Sequence, residues 1–268
     1  MKRWEKDFET NRLLWDARTG IHLKSGFYDA DGFRSGKSTL NAIEIEEIGN
    51  VSGKTMLHLQ CHFGLDTLSW ARRGAMVTGI DFSGDSISVA KKIAAECKIP
   101  ANFVLCNVYD SPEFVKETFD IVFASFGALP WLPDLKRWME IASGFLKPEG
   151  ILYLIEFHPI LNCFDNEFRE ISLNYFHGEE PHRDLYPGTY ADPSAAISLE
   201  EAWWAHPLSE IINAAISASF KLEFIHEFPY SFYNCFPNFV ACNDGNFRWR
   251  NGNDTLPVMF SLKAAKGS

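Results

Sequence analysis

The sequence has no Cys-x-x-Cys pair, no internal repeat, no low-complexity tract and no surplus of basic charge, and each absence removes a class of protein. Its six cysteines, Cys61, Cys97, Cys106, Cys163, Cys235 and Cys242, lack both a paired spacing and a matching histidine pattern. Free thiols are therefore expected rather than a zinc site or a disulfide framework, and no metal is expected. Lys and Arg number 25 against 35 Asp and Glu, a formal net charge of −10 that repels a phosphate backbone and an anionic membrane surface. Neither nucleic acid nor membrane is expected as a partner. The opening MKRWEKDFETNRLLW is charged and holds no apolar run of signal-peptide or membrane-spanning length, so a cytoplasmic protein is expected, as monomer or homodimer. Without repeats or linkers the chain reads as one continuous body with local insertions.

What is present is an alternation that begins near residue 55. TMLHLQ (55–60) is a short apolar run, LDTLSWARR has helical spacing, and AMVTGID (75–81) is a second run after the Gly74 stop. SGDSISVAKKIAAECK reads as a helix capped by Ser83 or Asp85, followed by the strand NFVLC (102–106). FDIVFAS (119–125), the helix LKRWMEIASGFL, the breaker KPEG and the strand ILYLIEF (151–157) complete five repeats of the pattern. Strands and helices alternating at this interval imply right-handed crossovers and a doubly wound, mainly parallel α/β sheet buried on both faces. After Pro159 the rhythm stops for about fifty residues. EEPHRDLYPGTYADPSA lies here, and we expect a cap insertion at about 159–207. LSEIINAAISAS then reads as a helix, and KLEFIHEF (221–228) and PVMFSLKAA (257–265) as a terminal antiparallel hairpin. The loop between those two strands, FPYSFYNCFPNFVACNDGN, is rich in aromatics.

In such sheets the ligand binds at the carboxyl ends of the strands, and the turn after the first strand is the natural cradle. Here it is Gln60-Cys61-His62-Phe63-Gly64. A dinucleotide site requires G-x-G-x-x-G so that backbone can approach a pyrophosphate, and only Gly64 is present, which counts against NAD. Asp81 ends the second strand, a position that suits either a helix cap or a carboxylate accepting hydrogen bonds from both hydroxyls of an adenosine ribose.

From Thr55 to Pro159 the chain resembles the class I S-adenosylmethionine-dependent methyltransferases, strand by strand. The resemblance rests on LHLQCHFGLDTLSWARRGAMVTGIDFS, FVLCNVYD, FDIVFASFGALPWLPDL and FLKPEGILYLIEFHP in that order. It implies a Rossmann-like seven-stranded sheet over 55–268, a helical or lid segment over 1–54, and S-adenosyl-L-methionine as cofactor. By the same resemblance Gln60, Cys61, His62 and Gly64 form the loop under the amino-acid end of the cofactor and Asp81 holds the ribose. Phe82 flanks the adenine, Asn107 and Val108 recognise its edge and face, and Ser125 and Phe126 line the methionine end. The sequence departs from the family pattern in carrying His58 where an acidic residue is common, and Gln60 and His62 in place of glycines.

In SGFYDADGFRSGKSTL (25–40), where family members place a lid, Tyr28 and Lys37 are candidates to touch the cofactor carboxylate by hydroxyl and charge; a solvated loop is the alternative for both. Methyl transfer is an in-line displacement that needs alignment and exclusion of water more than a nucleophile. An acceptor hydroxyl or ammonium would gain from a general base, and histidine suits that role near neutral pH. His158, ending the fifth strand, is one candidate, with a backbone-bonded ring as its alternative. His206, before the last helix, is the other, with a helix cap as its alternative. Trp131, Trp203, Trp204, Tyr190, Tyr230 and Tyr233 fall in loops that can cover the site, and they favour a small-molecule acceptor. Two rival readings stand beside this one: an NAD-dependent oxidoreductase, and a non-catalytic protein that binds S-adenosylmethionine or S-adenosylhomocysteine.

Overall fold

The computed structural model describes residues 2–165, 168–234, 236, 238–249 and 256–267. Its centre is a seven-stranded sheet built from β1 (Thr55–Leu59), β2 (Met76–Asp81), β3 (Asn102–Leu105), β4 (Phe119–Ser125), β5 (Leu146–Phe157), β8 (Phe220–Phe228) and β11 (Met259–Lys266). The spatial order is β3-β2-β1-β4-β5-β11-β8. All pairs from β3 to β5 are parallel, and β11 runs antiparallel to both β5 and β8. The mainly parallel sheet with a closing antiparallel hairpin is thus the one the sequence implies. Parallel strands covered on both faces need apolar side chains on both. Accordingly, Leu57, Val122, Leu154 and Phe260 pack with Trp138 on one side, while Met56, Phe123, Tyr153 and Met259 pack with Trp70 on the other.

The helices begin where polar side chains satisfy free N–H groups. α5 (Gly84–Glu96) opens on Ser83, whose hydroxyl accepts from Ser86 N, and α7 (Leu135–Phe145) opens on Asp134, which accepts from Arg137 N. α4 (Leu65–Arg72) follows β1, the short α6 (Ser111–Phe114) follows β3, and α8 (Leu208–Ser217) precedes β8. Among the described residues, no helix is long and apolar enough to cross a membrane. Cys61, Cys97, Cys106, Cys163 and Cys242 are free thiols; Cys235 lies outside the described residues.

Two local readings differ from what the sequence implies. KPEG does not break the chain between helix and strand: β5 starts at Leu146, and the register against β4 slips between Phe119 and Ile121 to pass the extra residues. A bulge of this kind keeps a strand continuous where turn residues alone predict a stop. The polar stretch after Pro159 also holds more order than its composition shows. β6 (His182–Pro187) and β7 (Ser198–Trp203) pair antiparallel, and β9 (Phe239–Ala241) and β10 (Phe247–Trp249) form another small sheet in the second long loop.

Before β1 lie α1 (Glu5–Lys24), α2 (Ala30–Arg34) and α3 (Ala42–Ile48). α1 is fixed at both flanks. Asn11 brackets Ala202 of β7 with two hydrogen bonds, Nδ2 to O at 2.7 Å and N to Oδ1 at 2.9 Å, and Arg18 pairs with Glu201 at 2.8 Å. On the other flank Asp16 accepts from Ser83 Oγ at 2.7 Å, so the helix lies across the carboxyl edge of the sheet.

Candidate functional site

The order in which the parallel strands are laid down reverses between β1 and β4, and the site gathers at the carboxyl ends of the strands around that point. The β1 turn is tight: Gln60, His62 and Gly64 have φ of 56, 50 and 74°. Glycine is needed at the last of these, because a Cβ on Gly64 would stand 2.6 Å from the Phe103 ring. Gln60 instead uses its side chain as a strut. Its Nε2 donates to Ala128 O at 2.8 Å and its Oε1 accepts from Trp138 Nε1 at 3.0 Å, joining the β1 and β4 turns. Glu156, only 3% exposed, holds the same β4 turn by accepting from Gly127, Ala128 and Leu129 N as well as from Phe157 N. Burial raises its carboxyl, and the four backbone donors oppose that rise by favouring the ionised form.

At the end of β2, Asp81 accepts from His62 N at 2.8 Å and Ser83 N at 2.9 Å. Burial pushes its carboxyl up to about 6, with those two N–H groups pulling the other way. Beside it a cleft of about 480 Å³ is lined by Phe82, Gly84, Leu105, Cys106, Asn107 and Asp110, and walled by Phe8, Glu9 and Arg12 of α1. Asn107 caps the turn after β3 by accepting from Tyr109 N, and Val108 next to it is buried. Ser125 lies at the end of β4, donating to Asp66 at 3.2 Å, while Phe126 meets the rings of Phe157 and Phe232. Cys61 is buried and its thiol is pushed far up, chiefly by burial. His58, where the family pattern has an acid, is a buried imidazole drawn down to about 3 and bonded to Thr67 Oγ1 at 2.8 Å.

The other expected site residues fall in two groups. Tyr28 joins the site: its ring meets His22, His62, Phe63 and Tyr190, and its hydroxyl pairs with that of Tyr190. Lys37 is instead exposed and paired with Asp29 at 2.6 Å. His158 Nδ1 accepts from Ile160 N at 3.2 Å, and its Nε2 lies 2.9 Å from Glu227 as an ion-pair contact without hydrogen-bond geometry. Both ring nitrogens of His206 are engaged, with Nε2 donating to Leu132 O at 2.6 Å and Nδ1 at 3.2 Å from Glu210, and the helix that follows starts after Pro207 with no side-chain cap. Of the six loop aromatics, Trp131 meets Trp15, and Tyr190 and Tyr233 meet Phe27. Trp203 stacks on His182, Trp204 is buried, and Tyr230 sits under Arg248.

Sequence reasoning missed Trp15, Thr19 and His22 on α1. Their spacing of four and then three residues places them on one helical face, a signal visible in the sequence but without an obvious partner there. In the structure Trp15 meets His62 and Trp131, Thr19 meets Ser86, and His22 meets His62, so this face closes over the β1 turn.

This sheet order, with an acid ending β2 and a tight turn after β1, is the fold of the class I S-adenosylmethionine-dependent methyltransferases. More particularly, residues 57–154 match the profile of the family described as methyltransferase domain. A ubiquinone biosynthesis O-methyltransferase from Photorhabdus laumondii is 28% identical over 135 residues, 49% of this chain and 56% of the relative. The chain therefore aligns with little more than half the length of such curated relatives. Among solved structures, an S-adenosylmethionine-dependent methyltransferase from Listeria monocytogenes superposes with TM-score 0.61 at 16% identity, covering 84% of this chain and 96% of that one. Magnesium protoporphyrin IX methyltransferase from Synechocystis, solved with S-adenosylhomocysteine, gives 0.51 at 12% identity, covering 94% and 100%. At these identities the superpositions show the fold.

Proposed function

We propose that the protein binds S-adenosyl-L-methionine and transfers its methyl group to a small-molecule acceptor. The observation that carries this reading is the buried Asp81 carboxyl beside a cleft lined by Phe82 and Asn107, at the carboxyl ends of β2 and β3. Those groups fit an adenosine: a carboxylate for two ribose hydroxyls, a ring for the adenine face and a polar side chain for its edge. In this reading Gln60, Cys61, His62 and Gly64 underlie the amino-acid end, Val108 packs on the adenine, and Ser125 and Phe126 bound the methionine end. Tyr28 closes over the cofactor from the lid, and Lys37 would have to leave Asp29 to join it. The cofactor supplies an electrophilic methyl on a sulfonium; the chain's part is to align the acceptor and exclude water, for which α1 and the surrounding aromatic side chains are suited. The related O-methyltransferases support oxygen as the acceptor atom.

Calorimetric titration with S-adenosylmethionine, S-adenosylhomocysteine and NAD, repeated on Asp81→Ala, tests the proposal. Binding of the two sulfur ligands alone, lost in the variant, is the expected result. Binding of NAD, or of nothing, overturns it. Turnover with an acceptor panel separates an enzyme from a cofactor-binding sensor.

A further inference from the structure

Four side chains link α1 to the β1 turn, and their hydrogen atoms can be assigned one by one. Thr19 Oγ1 lies 2.8 Å from Trp15 O, a carbonyl that can only accept, so the Thr19 hydrogen points there. Thr19 Oγ1 is then the acceptor in its 2.7 Å contact with Ser86 Oγ, which uses the single Ser86 hydrogen. Ser86 Oγ must therefore accept from His62 Nδ1 at 3.0 Å. His62 consequently carries its proton on Nδ1 and offers a lone pair at Nε2, where His22 Nδ1 donates at 3.1 Å. The chain ends on His22 Nε2, a bare lone pair.

That atom is fully buried and meets no donor among the described residues. Buried polar atoms in native proteins are paired with few exceptions, and each exception needs a reason. Burial draws His22 down to about 3, so the imidazole stays neutral and the lone pair open at working pH. Tyr28 and Tyr190 bond each other, and neither hydroxyl forms a hydrogen bond with this atom. Around the atom stand the rings of Trp15, Tyr28, His62 and Tyr190, with centroids 4.8 to 6.0 Å from that of His22. Tyr190 and Phe27 are 42% and 40% exposed at the rim. From Phe27 a belt of ring contacts continues through Tyr233 and Phe157 to Phe126, at the end of β4 where the methionine end of the cofactor is placed above.

We infer that His22 Nε2 is the hydrogen-bond acceptor of the methyl-acceptor site, and that it selects a neutral, planar compound bearing an O–H or N–H group. The inference rests on the methyltransferase reading above. A lone pair repels a carboxylate and gains nothing from an ether or a hydrocarbon, while the surrounding rings favour a flat partner.

Nitrogen-15 NMR of histidine-labelled protein saturated with S-adenosylhomocysteine tests this, with His22→Gln assigning the signal and catechol as probe. The expected spectrum shows His22 protonated on Nδ1 only, with an Nε2 resonance that moves on adding catechol and not on adding 1,2-difluorobenzene. In Ser86→Ala the tautomer preference of both rings should relax, because the chain that fixes it is cut. His22 protonated on Nε2, equal responses to the two probes, or no response to catechol overturns the inference. Calorimetry with S-adenosylhomocysteine on the same samples reports separately on the cofactor reading, so either can fail alone.

Discussion

Replacing Asp81 with Asn should stabilise the ligand-free protein at neutral pH while damaging the site. The carboxyl is 7% exposed and burial raises it from 3.8 to about 6. A gap of that size corresponds to about 3 kcal/mol. Because the folded chain holds this proton more tightly than the unfolded chain, its contribution to stability is complete below about pH 3.8 and is lost as pH rises through about 6. Asn does not titrate. Its amide keeps one oxygen to accept from either His62 N or Ser83 N and turns an NH2 toward the other, a pH-independent loss of about 1–2 kcal/mol. Urea unfolding of both proteins without cofactor at pH 4, 5, 6 and 7 should therefore show the stability difference shifting by about 2.4 kcal/mol in favour of Asp81→Asn as pH rises, since part of the change already lies below pH 4. Wild-type affinity for S-adenosylhomocysteine should in turn weaken as pH falls below about 6, toward tenfold per pH unit, since the ribose hydroxyls need the ionised acceptor. A stability difference that does not change with pH refutes the argument, because it would mean that Asp81 pays no cost for ionising where it lies.

Two further substitutions probe the frame of the site. Gly64→Ala forces a side chain into left-handed backbone and against Phe103, and should lower stability by about 3 kcal/mol, about 6–12 °C in a thermal melt; a loss under 1 kcal/mol means the turn relaxes freely. Asn11→Ala leaves both backbone groups of Ala202 unpaired, at a cost of about 2–4 kcal/mol. Hydrogen exchange at the Ala202 amide and along α1 should accelerate while the β4 and β5 amides stay protected; uniform acceleration would show that α1 does not open separately.

The sheet was legible because its information is local. Each run from Thr55 to Phe157 carries its own period, and its neighbour follows within a crossover's length, so order and direction come from short-range pattern. Asp81, Gly64 and Asn107 were legible for the same reason, as each sits at a strand end whose position the pattern fixes. KPEG misled because turn residues look alike whether they end a strand or bulge within it; only the partner strand, from Phe119 to Ile121, decides. His22 was hidden by distance of a different kind. On α1 it is one of several buried polar residues, with Asn11, Arg18 and Thr19, and its chemistry depends on His62, forty residues later, on Ser86 at the head of α5, and on Tyr190 beyond the sheet's fifth strand. Sequence shows which residues could be chemical, but a tautomer is set by a chain of partners, and that chain exists only once α1 has been pinned by Ala202 on one side and Ser83 on the other. The presence of Gln60 and His62 where the family pattern has glycines then makes sense: the first braces the β4 turn, and the second ties His22 to Ser86, contacts that only side chains can make.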